Sequence, residues 1–462
     1  MAAPFRDVVI LRSSPPDRHF AEAEVGLLAM SSMPPPPPAF AAAGSVSARR
    51  AGANPPDADL GVIKTNDEAS GAKACCVSRG YFDDPFVKHF ARRVPKHPPL
   101  INRGYHARVA TVRAVLDAFL DATFDADRAE DAATSPVANV TVKKRQIVSL
   151  GAGFDASYFR LRTKDAPETP SVSLAFVEID HAVVIATKAA VVNATATLRA
   201  SCVGGDGVRR LEDGEEDGVK TARRDGGVLE AFVDGGGYAM CGCDLRDPSA
   251  LDTALNDVAG LDPNVPTLFL SECCLAYLEA NEAEAVIDWA ARWGRPACQK
   301  APDAGSTRTD DDAAFFPLRA FFAYDPSLTN TSSRDDPFGA QMLVNLKHRG
   351  CPLLGAHAVP GADAHVARLK KNGWPRAGAA DMLAASARLV TEDAAEARRV
   401  AFLEPLDELE EYRLIQKHYV VSWGVLGTTS SDVRKNDARA ESDATRLERV
   451  VDRSVQDANT GV

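Results

Sequence analysis

Long apolar runs are missing from this sequence. No stretch approaches the roughly 20 residues that a membrane-spanning helix needs, so a helical membrane protein is not expected. Basic charge is also in short supply, with 53 Lys and Arg against 64 Asp and Glu and a net charge of −11. Nucleic acid bound through its phosphates needs a basic face, which this balance disfavours. The nine cysteines are odd in number and never take the CxxC spacing. Cys75–Cys76, Cys241–Cys243 and Cys273–Cys274 are close pairs whose side chains diverge on a helix or strand, so neither a disulfide framework nor a zinc site is expected. The nine histidines form no HExxH pair and no His/Cys cluster, so no metal is expected. The N-terminus lacks a secretory apolar core, and Arg6, Arg12 and Arg18 are interrupted by Asp7, Asp17, Glu22 and Glu24, which disfavours a transit peptide. A reducing, cytoplasmic location is the expectation.

What is present is an ordinary globular mixture, 45% apolar and 25% charged, in a chain of 462 residues. That length supports one large or two ordinary domains. Residues 1–62 are rich in Ala and Pro, including the run Pro34 to Pro38, and read as a disordered extension. Residues 63–140 read as an N-terminal helical cap, because apolar residues recur at spacings of three and four around Arg103 to Leu120. Residues 141–430 then alternate strand and helix. Strands are expected at Lys144–Gly151, Ala175–Asp180, Tyr238–Asp244 and Thr267–Glu272, each followed by a helix, which is the pattern of a parallel sheet with right-handed crossovers. A strand at Ala320–Asp325, helices near Pro337–Lys347 and Leu406–His418, and a strand at Tyr419–Leu426 complete the domain. Polar insertions are expected at about 203–228 and 299–313, and a disordered charged tail over 431–462.

The strongest local signal is Ile147-Val-Ser-Leu-Gly-Ala-Gly-Phe-Asp155. A buried strand running into Gly151 and Gly153 brings bare backbone against a nucleotide-like ligand. Gly151 to Ala156 also satisfies the dinucleotide pattern GxGxxG/A, so the motif alone does not choose the cofactor. Asp180 ends the second strand, where a carboxylate accepts from ribose hydroxyls or caps the next helix. Asp244 and Leu245 follow the third strand, placed for the amine and the face of a base, although Asp244 too has a capping role open to it. Glu272 ends the fourth strand at the sheet's carboxyl edge, where ligands of open α/β sheets bind, and a carboxylate there suits a cationic group. Tyr277 is placed to close the pocket or to pack in the core. Upstream, Arg103 and Arg108 sit near the start of a helix, where a guanidinium either forks a carboxylate or is solvated.

Taken in order, these stretches resemble the leucine carboxyl methyltransferase family. The resemblance is carried by Ser78–Phe90, Ile101–Arg108, Val148–Asp155, Phe176–Asp180, Gly242–Asp247, Ser271–Tyr277, Asn372-Gly-Trp374, and Glu404–Glu410 leading into His418–Trp423. It implies a class I S-adenosylmethionine-dependent methyltransferase fold: Rossmann-like α/β, a mostly parallel seven-stranded sheet, an N-terminal helical lid and a late helical insertion. It implies that S-adenosyl-L-methionine is held by Lys73, Arg108, Gly151, Asp180, Asp244, Leu245 and Glu272; Gly153 of the glycine turn is expected to join them, and Arg108 is the expected catalytic residue, orienting the acceptor carboxylate, a role also open to Lys73. It further implies methyl esterification of the C-terminal leucine of the protein phosphatase 2A catalytic subunit by a monomer. The chain departs from the family in its first 62 residues, its two polar insertions, and a longer stretch from Tyr324 to Phe338 near the expected substrate entrance. The rival readings are a small-molecule carboxyl or hydroxyl O-methyltransferase, a relative acting on a modified tRNA base, which the acidic charge disfavours, and a nicotinamide-dependent dehydrogenase, for which no catalytic His or Tyr/Lys pair is evident.

Overall fold

The computed structural model describes residues 57–121, 143–164, 172–211, 223–224, 227–228, 230–294 and 318–426. Two long helices come first, α1 (Asp57–Arg79) and α2 (Pro99–Asp121). The sequence predicts an extension over 1–62, yet α1 begins inside it at Asp57. A local cause is Asp59, which puts negative charge on the helix's positive end.

There follow β1 (Lys143–Leu150), α3 (Ser157–Lys164), β2 (Val172–Asp180), α4 (Ala182–Ala194), β3 (Arg209–Arg210), β4 (Glu230–Val233) and β5 (Tyr238–Gly242). Then come α5 (Pro248–Thr253), β6 (Thr267–Glu272), α6 (Ala280–Arg292), β7 (Arg319–Pro326), α7 (Pro337–His348) and α8 (Gly361–Lys371). The described chain ends with β8 (Arg376–Asp381), α9 (Ala394–Leu403), α10 (Leu409–Lys417) and β9 (Tyr419–Leu426).

The strands form one sheet in the order β8-β9-β7-β6-β1-β2-β5-β4-β3. β1, β2, β5, β6 and β7 are parallel. β9 runs antiparallel to both β7 and β8, the seam left by the late helical insertion. Nine strands replace the expected seven because β4 adds antiparallel to β5 at one edge and β3 adds antiparallel to β4. β3 falls within the expected insertion, whereas β4 follows it, and in β4 Ala231 and Val233 alternate with half-buried neighbours and join the core. Arg223–Arg224 pairs with Gly227–Val228 as a separate ribbon. The remainder of that insertion, the insertion at 299–313, residues 1–56 and the tail at 431–462 lie outside the described residues.

Successive residues along the central strands enter opposite cores. Ile147, Leu268 and Phe322 face one side, Val148, Phe269 and Phe321 the other. Ala107, Val112 and Phe119 of α2 share the first core with β1 and β2, so the N-terminal helices are packed into the sheet and are not an independent unit. α9 and α10 lock beside them through Glu404, which accepts from the Tyr81 hydroxyl at 3.0 Å and from Asn102 Nδ2 at 2.8 Å. The opposite core holds Trp374, fully buried with its indole N–H donated to the Ile287 carbonyl at 3.1 Å. Among the described residues no helix is long and apolar enough to cross a membrane.

Candidate active site

All five parallel strands end on the same edge, and the chemistry collects there. β1 runs out at Leu150, and the chain turns through Gly151 at φ +68° and Gly153 at φ +51°. Both values lie in the left-handed region that only glycine enters without penalty. The turn is tied to β2, because Gly151 N–H and Ala152 N–H donate to the Ile179 carbonyl at 2.8 and 3.1 Å. Asp180 completes the clamp: Oδ2 accepts from Gly153 N–H and Oδ1 from His181 N–H, each at 2.7 Å. Asp180 therefore reaches back to the glycine turn rather than forward into the first turn of α4, whose cap position is His181. Burial pushes its carboxyl up, and the two N–H donors only partly oppose this.

Beyond the turn, two connected cavities of about 210 and 200 Å³ share Thr65, Asn66, Gly151, Cys273 and Tyr277. One is lined by Asp180, Asp244 and Leu245, with Ile63 of α1 opposite. Asp244 does not cap α5, a role taken by Asp247, whose carboxylate accepts from Ser249 N–H and Ala250 N–H. Its own carboxylate is forked by the Arg246 guanidinium at 2.8 Å, and Arg246 also reaches Asp59 of α1 at 2.9 Å. Burial raises the Asp244 carboxyl, but the hydrogen bonds from Arg246 carry it below the usual range.

The other cavity holds the charged groups. Glu272 Oε1 lies 2.5 Å from Arg108 Nε and 3.0 Å from Lys73 Nζ, and Lys73 is 3.1 Å from Asp155 Oδ1. All four side chains are shielded, with exposures between 11 and 18%. Burial alone raises both carboxyls, but Lys73 first, then Arg108 for Glu272 and Lys188 for Asp155, hold them below the usual range. The Arg108 guanidinium also lies over the rings of Tyr105 at 5.4 Å and Tyr324 at 5.1 Å. Glu272 thus does not present the free anion expected at the strand end. Its charge is matched by two cations, and the cluster of two acids and two bases is neutral.

The structure brings together every residue singled out for the cofactor: Lys73, Arg108, Gly151, Gly153, Asp180, Asp244, Leu245 and Glu272 all line one or both cavities. Tyr277 lines both and closes their junction. Arg103 does not join them; its guanidinium donates to the Glu404 carbonyl at 2.9 Å, which is a structural role. Sequence reasoning missed three features. Asp155 is one, and an acid directly after such a glycine turn is the available signal. Cys273 is another: it lines both cavities at φ +56°, a strained value for a non-glycine residue held by its N–H bond to the Tyr324 carbonyl at 2.6 Å. On the face of α1 that lines both cavities only Lys73 is singled out by the sequence, and Ile63, Thr65 and Asn66 carry no local signal.

A family model described as Leucine carboxyl methyltransferase matches residues 63–291. The leucine carboxyl methyltransferase 1 homolog of Arabidopsis thaliana is 33% identical over 364 residues, covering 79% of this chain and 89% of that protein. Leucine carboxyl methyltransferase 1 of Emericella nidulans is 31% identical over 370 residues, covering 79% and 85%. The tRNA wybutosine-synthesizing protein 4 of Homo sapiens is 32% identical over 383 residues, but this chain spans only 45% of its length. The core order β5-β2-β1-β6-β7-β9-β8, with β9 reversed, is the class I methyltransferase sheet. With relatives matched across most of their own length at this identity, the chain belongs to the leucine carboxyl methyltransferase family.

Proposed function

We propose that this protein binds S-adenosylmethionine across the two cavities and methylates the C-terminal leucine carboxylate of the protein phosphatase 2A catalytic subunit. The observation that carries the reading is the Lys73–Glu272–Arg108 cluster, held at the strand edge and continuous with the Asp180–Leu245 cavity. The residues suit a nucleoside joined to an amino acid. Asp180 retains acceptor capacity beyond its two backbone donors for ribose hydroxyls. Leu245, buried beside Asp244, offers an apolar face to a base whose amine Asp244 accepts. Lys73 supplies a positive charge for the amino-acid carboxylate.

When bound, the cofactor supplies an electrophilic methyl group. The acceptor needs no general base, because a chain-terminal carboxyl has a reference pKa of about 3.3–3.7 and is ionised at neutral pH. What the protein contributes is position. Among the described residues Arg108 hydrogen-bonds Glu272 alone, through Nε, so its terminal N–H groups remain for the acceptor carboxylate. Glu272 and the Tyr105 and Tyr324 rings fix the plane of that guanidinium. Holding an acceptor in line and away from water is worth several kcal/mol, in principle up to about 7–11. Because Lys73, Arg108, Asp155 and Glu272 sum to zero, the acceptor's negative charge would be balanced by the net positive charge of the bound cofactor.

The test is to incubate the protein with S-adenosylmethionine and the phosphatase catalytic subunit, then analyse the subunit's C-terminal peptide by mass spectrometry. A single base-labile methyl on the terminal carboxyl is expected. Methyl transfer only to small carboxylic acids or hydroxyl compounds, or binding of NADH in place of S-adenosylmethionine, overturns the reading.

A further inference from the structure

Lys188 of α4 and Glu178 of β2 are each completely buried, with Nζ 2.6 Å from Oε2. The same ammonium donates to the Asp155 backbone carbonyl at 2.7 Å and lies 5.5 Å from the centre of the Phe90 ring. Fold stability gives little reason for such a pair, since well-packed apolar residues often replace buried ion pairs at no cost or with a gain. Its location supplies a reason. Asp155 closes the glycine turn, and its carboxylate accepts from Lys73 Nζ at 3.1 Å and from Ser157 N–H at 2.8 Å. Fixed contacts therefore run without a gap from Glu178 inside the sheet, through Lys188 and Asp155, to Lys73, Glu272 and Arg108.

We propose that Lys188 is a positioning residue for the cofactor turn, gripping the Asp155 carbonyl from behind so that the Asp155 carboxylate meets Lys73. This rests on the cofactor reading above. The electrostatics run the same way. Lys188 helps hold Asp155 and Asp180 in their charged forms, and it opposes, without overcoming, the burial that pushes the carboxyl of its own partner Glu178 up to about 7. Of its two contacts, the bond to the Asp155 carbonyl is the one that reaches the glycine turn.

Three proteins separate the two bonds: wild type, Glu178→Gln, and the double variant Lys188→Met with Glu178→Gln, in which no buried charge is orphaned. S-adenosylhomocysteine is titrated into each by calorimetry, thermal midpoints are read without ligand, and amide hydrogen exchange is followed over residues 151–157 in the ligand-free proteins. Glu178→Gln should bind within about threefold of wild type, and the double variant about tenfold more weakly, with a similar thermal midpoint and faster exchange in the turn. The proposal is overturned if the double variant matches Glu178→Gln in affinity and exchange, if Glu178→Gln alone loses the affinity, or if the double variant fails to fold where Glu178→Gln folds. A wild type that binds no S-adenosylhomocysteine sinks the cofactor reading instead, and exchange in the ligand-free turn then decides whether Lys188 holds it.

Discussion

Arg108 and Glu272 stand 164 residues apart in sequence and meet at 2.5 Å, Nε to Oε1, where α2 crosses the end of β6. The contact joins the N-terminal helices to the sheet at the point where chemistry is expected. It also decides which donors of Arg108 are consumed and which stay available.

Replacing Arg108 with Lys keeps the charge and loses the planar fork. The turnover number should fall by about 10²–10³, the range for removing one transition-state donor, while S-adenosylhomocysteine affinity changes far less. Steady-state kinetics beside calorimetry check this. Equal losses in both would place Arg108 on the cofactor instead of the acceptor.

Glu272→Gln leaves Lys73 and Arg108 shielded together with only Asp155 to compensate them. Breaking such a network by removing one partner costs about 3–5 kcal/mol. Urea denaturation should show a loss of that order, with cofactor affinity falling in parallel. A stability change below about 1 kcal/mol would mean that the cluster behaves as a solvated surface pair.

Gly153→Ala forces a side chain onto a φ of +51° and sets its Cβ 2.3 Å from Asn66 Oδ1. Asn66 can swing aside, so the strained backbone dominates at about 1–3 kcal/mol. The Gly153 N–H bond to Asp180 shifts with it, and affinity for S-adenosylhomocysteine should drop about tenfold. Calorimetry showing wild-type affinity would separate the turn from the cofactor.

Much of this was legible in the sequence because it is local. Strand runs ending in Gly151, Asp180 and Glu272 announce a parallel sheet, and the parallel sheet puts those ends on one edge. Asn372-Gly-Trp374 and Glu404 were recognisable as blocks, but only packing reveals that Trp374 is a core side chain and that Glu404 ties α1 and α2 to the late helices. β8 was missed because Arg376-Ala-Gly-Ala-Ala-Asp has neither β-branched residues nor aromatics, and its strand form comes from pairing with β9. The bond from Arg246 to Asp59 joins residues 187 apart, and no sequence pattern announces such a meeting.

Acid should destabilise the fold through His106, which is buried with Nε2 3.0 Å from Glu396 and with Nδ1 unpartnered among the described residues. Burial, only partly opposed by Glu396, takes its pKa down from 6.5 to about 4. Between those values the unfolded chain binds more protons than the folded one, so stability falls as pH falls through that window. At about 1.4 kcal/mol per unit the full fall is about 3 kcal/mol. Thermal midpoints at pH 7 and 4.5 should diverge in the wild type and diverge less in His106→Gln, which keeps a donor for Glu396 without the titration. An unchanged divergence in the variant contradicts the assignment.

The most direct measurement is transfer of labelled methyl from S-adenosylmethionine to two forms of the phosphatase catalytic subunit, one intact and one lacking its terminal leucine. Label should appear on the intact subunit alone and disappear with Arg108→Lys in the enzyme. Equal labelling of both forms, or none on either while S-adenosylmethionine binds, would contradict a site built around a terminal carboxylate.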